Sequence, residues 1–355
     1  MQLLGILGGL VLIPTMGPVA LAGAVGILLA GAGWYRLYGR AKTEREGAAL
    51  DALRGAVGDR ALAETERVVA DGSRSDVLVA IDTDTPAARE RALLTVAGTV
   101  ASHRGGRVRV VSFEAVPEQV TLSSATEETP ADRAFERQTE ELAASLSAPV
   151  ETEAVVTHDV RRAVANYADD VDAGLLVGSV SEGRLHDTLL GHDVDWFMEH
   201  FPCDAAFVRD RGLAELDEVA VLAQRGPHGP LKVALAGAMA ATAGATVRFV
   251  TALDPDASDE LRARTEEYHA ELRELCVADT ASEIVATDDV IGGLVDATRD
   301  TDVALVGHDP HTAVHDLVLG DLSNDLADEL PCTVLQVHAD LPKTFVRRVV
   351  KRAIF

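Results

Sequence analysis

Apolar residues along the chain follow two alternating rhythms. Short Val-, Leu- and Ala-rich runs end at Gly or Asp, and longer runs with apolar residues every three or four positions follow them. The short runs predict strands at 76–81, 108–113, 150–156, 174–178 and 205–209. They recur at 219–222, 246–251, 282–285, 303–306 and 333–337. The longer runs predict helices at 86–103, 131–146, 160–168 and 185–200, then at 230–243, 259–277, 290–298 and 313–330. The segment 117–130 is polar and reads as a loop. Strand and helix alternate throughout, which implies parallel pairing with right-handed crossovers.

The pattern occurs twice. The stretch from Ala173 to Cys203 lies on the stretch from Asp302 to Cys332 at an offset of 129 without a gap. Gly178 then falls on Gly307, His186 on His315, Asp187 on Asp316, Leu190 on Leu319, Gly191 on Gly320, Pro202 on Pro331 and Cys203 on Cys332. Matches that include His and Cys in register indicate a duplicated unit about one domain long. The predicted organisation is a membrane segment over 1–38, a helical connector over 39–72, domains over 73–212 and 213–340, and a tail over 341–355.

Residues 1–35 carry no charged side chain, and residues 3–33 are almost wholly apolar or Gly. This exceeds the roughly 20 residues a spanning helix needs. Trp34, Tyr35 and Tyr38 follow, then Arg36, Arg40, Lys42 and Arg45, which places the downstream side in the cytoplasm. Pro14 and Pro18 fit either one kinked span or a short hairpin. In the connector, Ala49, Leu50, Leu53, Val57, Leu62 and Val68 recur at helical spacing. The expected location is the cell membrane, with the globular part in the cytoplasm. The tail reverses the sign of the chain. Phe345, Val346, Val349, Val350, Ala353 and Ile354 form one helical face, and Arg347, Arg348, Lys351 and Arg352 the other. Such a helix suits an anionic lipid surface or the acidic body of the same protein.

Net charge is -25, and only four of the 32 basic residues are Lys, a balance expected of a protein adapted to high salt. It argues against nucleic acid as a partner. Cys203, Cys276 and Cys332 form neither CxxC nor an even set, and two of them share one repeat position ahead of a strand, so packing is their expected role. His308, His311 and His315 have metal-ligand spacing with Asp309 between them, but Pro310 keeps His308 off the helix, so no metal site is assigned. No catalytic constellation stands out, and the chain is not expected to be an enzyme.

In a parallel sheet of this kind, ligands sit beyond the carboxyl ends of the strands where strand order reverses, here the first and fourth strands of each domain. The order strand, Asp82, Thr83 loop, helix, then strand, Gly178, loop, Leu189-Leu190-Gly191, helix, Pro202-Cys203, strand resembles the universal stress protein family. The resemblance covers about 74–210 and 216–339. It implies an α/β fold of two tandem doubly wound five-stranded parallel sheets, like those of adenine-nucleotide hydrolases, preceded by a transmembrane helix or hairpin. The nucleotide-binding branch of that family carries Gly, two residues, Gly, nine residues, Gly, then Ser or Thr. In the first domain Gly178 and Gly191 match, but Ser181 and His192 replace the second Gly and the final Ser/Thr. In the second, Gly307 and Gly320 match, while Pro310 removes an N–H donor and Asp321 places an anion where phosphate would dock. The acid after strand one is Asp82 in the first domain; the Gly226–Pro230 loop stands in its place in the second.

The implied binding positions are Asp82, Thr83, Gly178, Ser179, Ser181, Gly191 and His192, with Gly226, Gly307, His308 and Gly320 as second-domain counterparts. ATP or AMP is the implied cofactor. The segment from Leu4 to Arg40 resembles the end of an amino-acid permease of the amino acid–polyamine–organocation type. Some such carriers have paired universal-stress domains on their cytoplasmic side. Together the resemblances imply a membrane-tethered regulatory or sensor module working with an amino-acid carrier. Its partners would be adenine nucleotide and lipid, and its domains would pair within one chain or across two. A docking module without a small-molecule ligand and a weak nucleotide hydrolase are the alternatives.

Overall fold

The computed structural model describes residues 74–82, 85–119, 121, 129–180, 201–224, 228–307 and 322–340. The expected membrane segment, connector, helix over 185–200, start of the helix over 313–330 and basic tail lie outside the described residues. Among the described residues no helix is long and apolar enough to cross a membrane.

The first half runs β1 (Val77–Ile81), α1 (Ala87–Arg104), β2 (Val108–Ala115), α2 (Pro130–Ala143), β3 (Val150–Thr157), α3 (Val160–Asp170), β4 (Leu175–Ser179) and β5 (Asp204–Arg209). The second runs β6 (Glu218–Leu222), α4 (Gly229–Ala243), β7 (Thr246–Leu253), α5 (Asp259–Leu275), β8 (Thr280–Ala286), α6 (Val290–Ala297), β9 (Val303–Gly307), α7 (Leu322–Glu329) and β10 (Thr333–His338). The five residues of β1 are all buried, as an unbroken apolar run requires in a strand covered on both faces. Gly105 and Gly244 stop α1 and α4 in the left-handed conformation, at φ 68° and 76°. One Thr-x-Asp device starts both α3 and α6. Thr157 Oγ1 accepts from Asp159 N at 3.1 Å, and the Asp159 carboxylate accepts from Arg162 N at 3.2 Å. Thr287 Oγ1 accepts from Asp289 N, and the Asp289 carboxylate from Gly292 N, both at 3.0 Å.

The strands form one ten-stranded sheet in the order β3-β2-β1-β4-β5-β10-β9-β6-β7-β8. This corrects the expectation of two separate sheets. Each half is parallel, but β5 and β10 pair antiparallel, so the halves join edge to edge and neither leaves its fifth strand open. On one face a single hydrophobic core runs through both halves, from Val79 and Leu93 to Leu231 and Phe249. Helices α1 and α4 meet there, where Thr242 Oγ1 donates to Thr99 O at 3.2 Å. On the other face the cores are separate, one around Leu176 and Phe207 and one around Ala304 and Val334. Cys203 and Cys332 are buried and free in these cores; burial pushes the Cys203 thiol up and the Cys332 thiol to about 11.

The ladders also correct the gapless alignment. Val77 pairs with Leu175 and Val219 with Val303, which puts Leu175 in the place of Val303. Leu175 and Val177 face the shared core, as do Val303 and Leu305; Leu176, Ala304 and Val306 face away. Gly307 therefore occupies the place of Ser179, and Val306 that of Gly178. A shift of one residue would turn every side chain of the strand to the wrong face, so the ladder outweighs the glycine match.

Candidate functional site

In each half the first strand pairs with both the second and the fourth, so β1–β4 and β6–β9 mark the points of strand-order reversal. In the first half Val79 pairs with Val177, so Gly178 lies level with Ala80, and Asp82 lies two residues farther along the neighbouring strand. Asp82 N donates to Thr85 Oγ1 at 3.1 Å, and Thr85 N donates to Asp82 O at 3.0 Å, which closes a tight turn. The turn is gripped from α2: Gln138 Nε2 donates to Thr85 O at 3.2 Å and also to the Glu90 carboxylate. Thr139 Oγ1 donates to the other Glu90 oxygen at 2.5 Å. Glu90 and Thr139 are fully buried. The conformation around Asp82 is thus set by a buried acid one turn into α1 and by two polar side chains of α2. Ser112, paired in register with Ile81, has a buried hydroxyl with no hydrogen-bond partner among the described residues. Gly178 is buried in β4 opposite Phe207, and Ser179 ends the strand. Thr83, Ser181, Gly191 and His192 lie outside the described residues.

The second half fills the equivalent region with other chemistry. Exposed Gln224 follows Ala223 where Asp82 follows Ile81, and Gln224 O accepts from Tyr268 Oη at 3.3 Å. Lys232 is buried, and its ammonium donates to Leu222 O at 2.5 Å. His269, 1% exposed, bridges α5 to two strands: its Nε2 lies 2.7 Å from Thr251 Oγ1 and its Nδ1 2.6 Å from Ser282 Oγ. The Thr251 hydroxyl donates to Ala223 O at 2.8 Å, so it accepts from Nε2–H, and Nδ1 accepts from Ser282. Burial lowers the pKa of His269 to about 4.

Gly307, at the end of β9, is covered by His228. A Cβ on this glycine would lie 3.4 Å from His228 Cβ and 3.5 Å from Cδ2. His228 is 5% exposed. Gly226, His308 and Gly320 lie outside the described residues, as do His311 and His315. Among the described residues no group of three His, Cys, Asp or Glu side chains is placed to hold a metal ion.

The structure thus brings Asp82 and Gly178 to neighbouring strand ends and places beside them a turn whose shape is fixed by α2 and Glu90. Among the described residues, Gln224 rather than an acid stands in the second half at the place of Asp82. Glu90, Gln138, Thr139, His228 and His269 were not legible as site residues. A lone Glu in the otherwise apolar core face of α1 was the only available signal.

Residues 74–209 match the Universal stress protein family and carry a domain of that kind. No curated protein sequence matches the chain. Among solved structures, a protein of Pseudomonas aeruginosa UCBPP-PA14 assigned to the universal stress proteins is 18% identical, with 81% of this chain and 100% of that chain covered and a TM-score of 0.51. This likeness establishes the α/β fold over the paired halves. The cytoplasmic domain of a prokaryotic cation chloride cotransporter is 12% identical over 75% of this chain and 96% of that one, at a TM-score of 0.46. A universal stress protein solved in complex with cAMP is 20% identical over 36% of this chain and 100% of that one, at 0.30.

Proposed function

We propose that the chain is a membrane-tethered, cytoplasm-facing pair of universal-stress domains acting as a non-enzymatic regulatory or sensor module, with an adenine nucleotide as the ligand of its first half. The observation that carries this reading is the asymmetry at the strand ends. Asp82 sits on a turn locked by Glu90, Gln138 and Thr139, whereas His228 covers Gly307 in the second half. Asp82 would accept from the exocyclic amine of adenine, and backbone N–H groups beyond Gly178 would meet phosphate. The nucleotide would supply the signal, and occupancy would bias the pairing of the halves. The apolar segment over 1–38 supports the tether, and its resemblance to a permease end supports an amino-acid carrier as the membrane partner.

The test is calorimetric titration of the full chain, in detergent and high salt, with ATP and with AMP. Binding at one site per chain, lost in Asp82→Ala and retained in Gly307→Ala, is the expected result. Absence of heat with either nucleotide would overturn the ligand assignment. That outcome would favour the second reading, a docking module, for which Ser181 and His192 at the signature positions already speak.

A further inference from the structure

We infer that α2 regulates the first-half site: its docking on α1 and the closing of the Asp82 turn are one event, joined through the amide of Gln138. The inference rests on the ligand reading above and adds the element that controls it. Gln138 Nε2 directs its hydrogens to two elements, one to Thr85 O at 3.2 Å and one to the Glu90 carboxylate. Thr139 Oγ1, on the next residue of α2, donates to the other Glu90 oxygen at 2.5 Å. An acceptor on each side leaves the Gln138 amide one way round. Turned over, it would set its oxygen against both the carboxylate and Thr85 O.

Helix α2 is thinly packed. Of its 14 residues only Phe135 and Thr139 are buried, whereas α1 buries nine of 18. An element with few buried apolar contacts opens at low cost, so the bonds to Glu90 and Thr85 are a large share of what docks it. Glu90 itself is fully buried in α1, and its bonds among the described residues are to neutral donors of α2. Burying an acid on neutral donors is a costly way to hold a helix, and an apolar side chain would pack there without that cost. What the acceptor adds is the fixed direction of the Gln138 amide.

The second half grips the same place with different chemistry. The Tyr268 hydroxyl of α5 donates to Gln224 O, just beyond β6, at 3.3 Å. A Cβ on Gly229, at the start of α4, would lie 2.7 Å from that hydroxyl oxygen, so the glycine makes room for the tyrosine. In both halves the second helix donates to a carbonyl beyond the first strand. In the first, the donor also depends on an acid of α1. By linkage, a ligand that favours the closed turn favours docked α2, and undocking of α2 weakens the ligand by the same factor.

Hydrogen exchange of the full chain, in detergent and high salt, tests the coupling first without ligand. Glu90→Leu and Gln138→Leu should each speed exchange about tenfold at the Thr85 amide, which donates to Asp82 O, and in α2 from Gln138 onward, while β1 stays protected. The double variant should exchange no faster than either single one, because both cut one connection. Glu90→Gln should stay close to the wild type: its amide oxygen accepts from Gln138, and the Thr139 hydroxyl turns to accept from its N–H. Saturating ATP should then slow exchange in α2 in the wild type and in Glu90→Gln, and in neither Leu variant, both of which should bind ATP about tenfold more weakly. Additive effects of the two Leu variants, or wild-type exchange at Thr85 in Glu90→Leu, would overturn the coupling. So would ATP that binds the wild type and leaves α2 unchanged. A wild type that binds neither ATP nor AMP would overturn the ligand reading, and the exchange without ligand would still decide whether α2 and the turn move together.

Discussion

The two halves share a ladder order and differ in almost everything attached to its ends. In the first, backbone passes very close to backbone where the chain enters β1: a Cβ on Gly106 would meet Ser75 O at 2.1 Å, and one on Gly174 would meet Arg74 O at 1.9 Å. In the second, Ala245 and Asp302 stand at those places. There the Asp302 carboxylate accepts from Asp217 N at 2.8 Å and Glu218 N at 2.9 Å. At the opposite ends, a buried Glu90 fixes an acidic turn in one half, and His228, Lys232 and His269 fill the other. Strand burial and the Thr-x-Asp caps specify the fold, so the ends can diverge without disturbing it. The half whose end keeps the acid is the one proposed to hold a ligand.

The largest expected effect probes entry into the sheet. Gly174→Ala forces a methyl into a backbone carbonyl that has no rotamer to yield, and it should cost about 3 kcal/mol. Asp302→Ala, at the equivalent place, removes a shared acceptor from two amides that can partly rehydrate, and it should cost about 1.5 kcal/mol. Chemical denaturation of both variants in the same salt gives the comparison. Equal losses would mean that the close approach in the first half is relieved by small shifts of the entering chain.

A second effect separates the halves by pH. His269 titrates near 4 when folded and near 6.5 when unfolded. Between these values the unfolded chain binds more protons, so stability falls as pH drops from about 6.5 toward 4. The loss from this group is about 3 kcal/mol at most. Asp204 has the opposite sign: its carboxyl is raised to about 6, so the folded chain takes up the extra proton and gains stability as pH falls from about 6 toward 4. The His269 contribution is therefore read as a difference. His269→Gln should remove the part of the acid lability that the wild type owes to this ring. Parallel pH–stability profiles for wild type and variant would show that the ring is not held neutral by burial.

Most elements were legible because their signals are local and redundant. Every described strand falls within two or three residues of its expected bounds, since an apolar run between Gly and Asp admits few alternatives. The helix expected over 131–146 ends at Ala143 instead, where no glycine marks the stop. The join of β5 to β10 was not legible. An edge strand buried against its own duplicate has the same composition as one buried by any other neighbour. The alignment of Gly178 with Gly307 misled for a related reason: sequence identity counts letters, whereas a strand counts faces, and one residue of loop length separates the two. Asp82 was legible as the end of the first strand because it closes an apolar run. Glu90 and His228 act through partners 48 and 111 positions away, and no spacing rule connects such pairs.

The smallest effect lies at the starts of the outer helices. Thr129 and Asp132 form a reciprocal capping box on α2: Asp132 N donates to Thr129 Oγ1 at 3.2 Å, and Thr129 N donates to the Asp132 carboxylate at 2.7 Å. On α5, Ser258 Oγ accepts from Leu261 N at 3.2 Å, and an apolar residue at the third position cannot return the bond. Thr129→Ala should therefore cost about 1 kcal/mol and Ser258→Ala about half as much. Gln138 and Thr139, which grip the Asp82 turn, lie more than two helical turns beyond the Thr129 cap. Fraying of the first turn should not reach them, so Thr129→Ala should lower stability while leaving unchanged the nucleotide affinity proposed for the first half. A variant that lost both would show that α2 transmits its order end to end and that the grip on Asp82 depends on the whole helix.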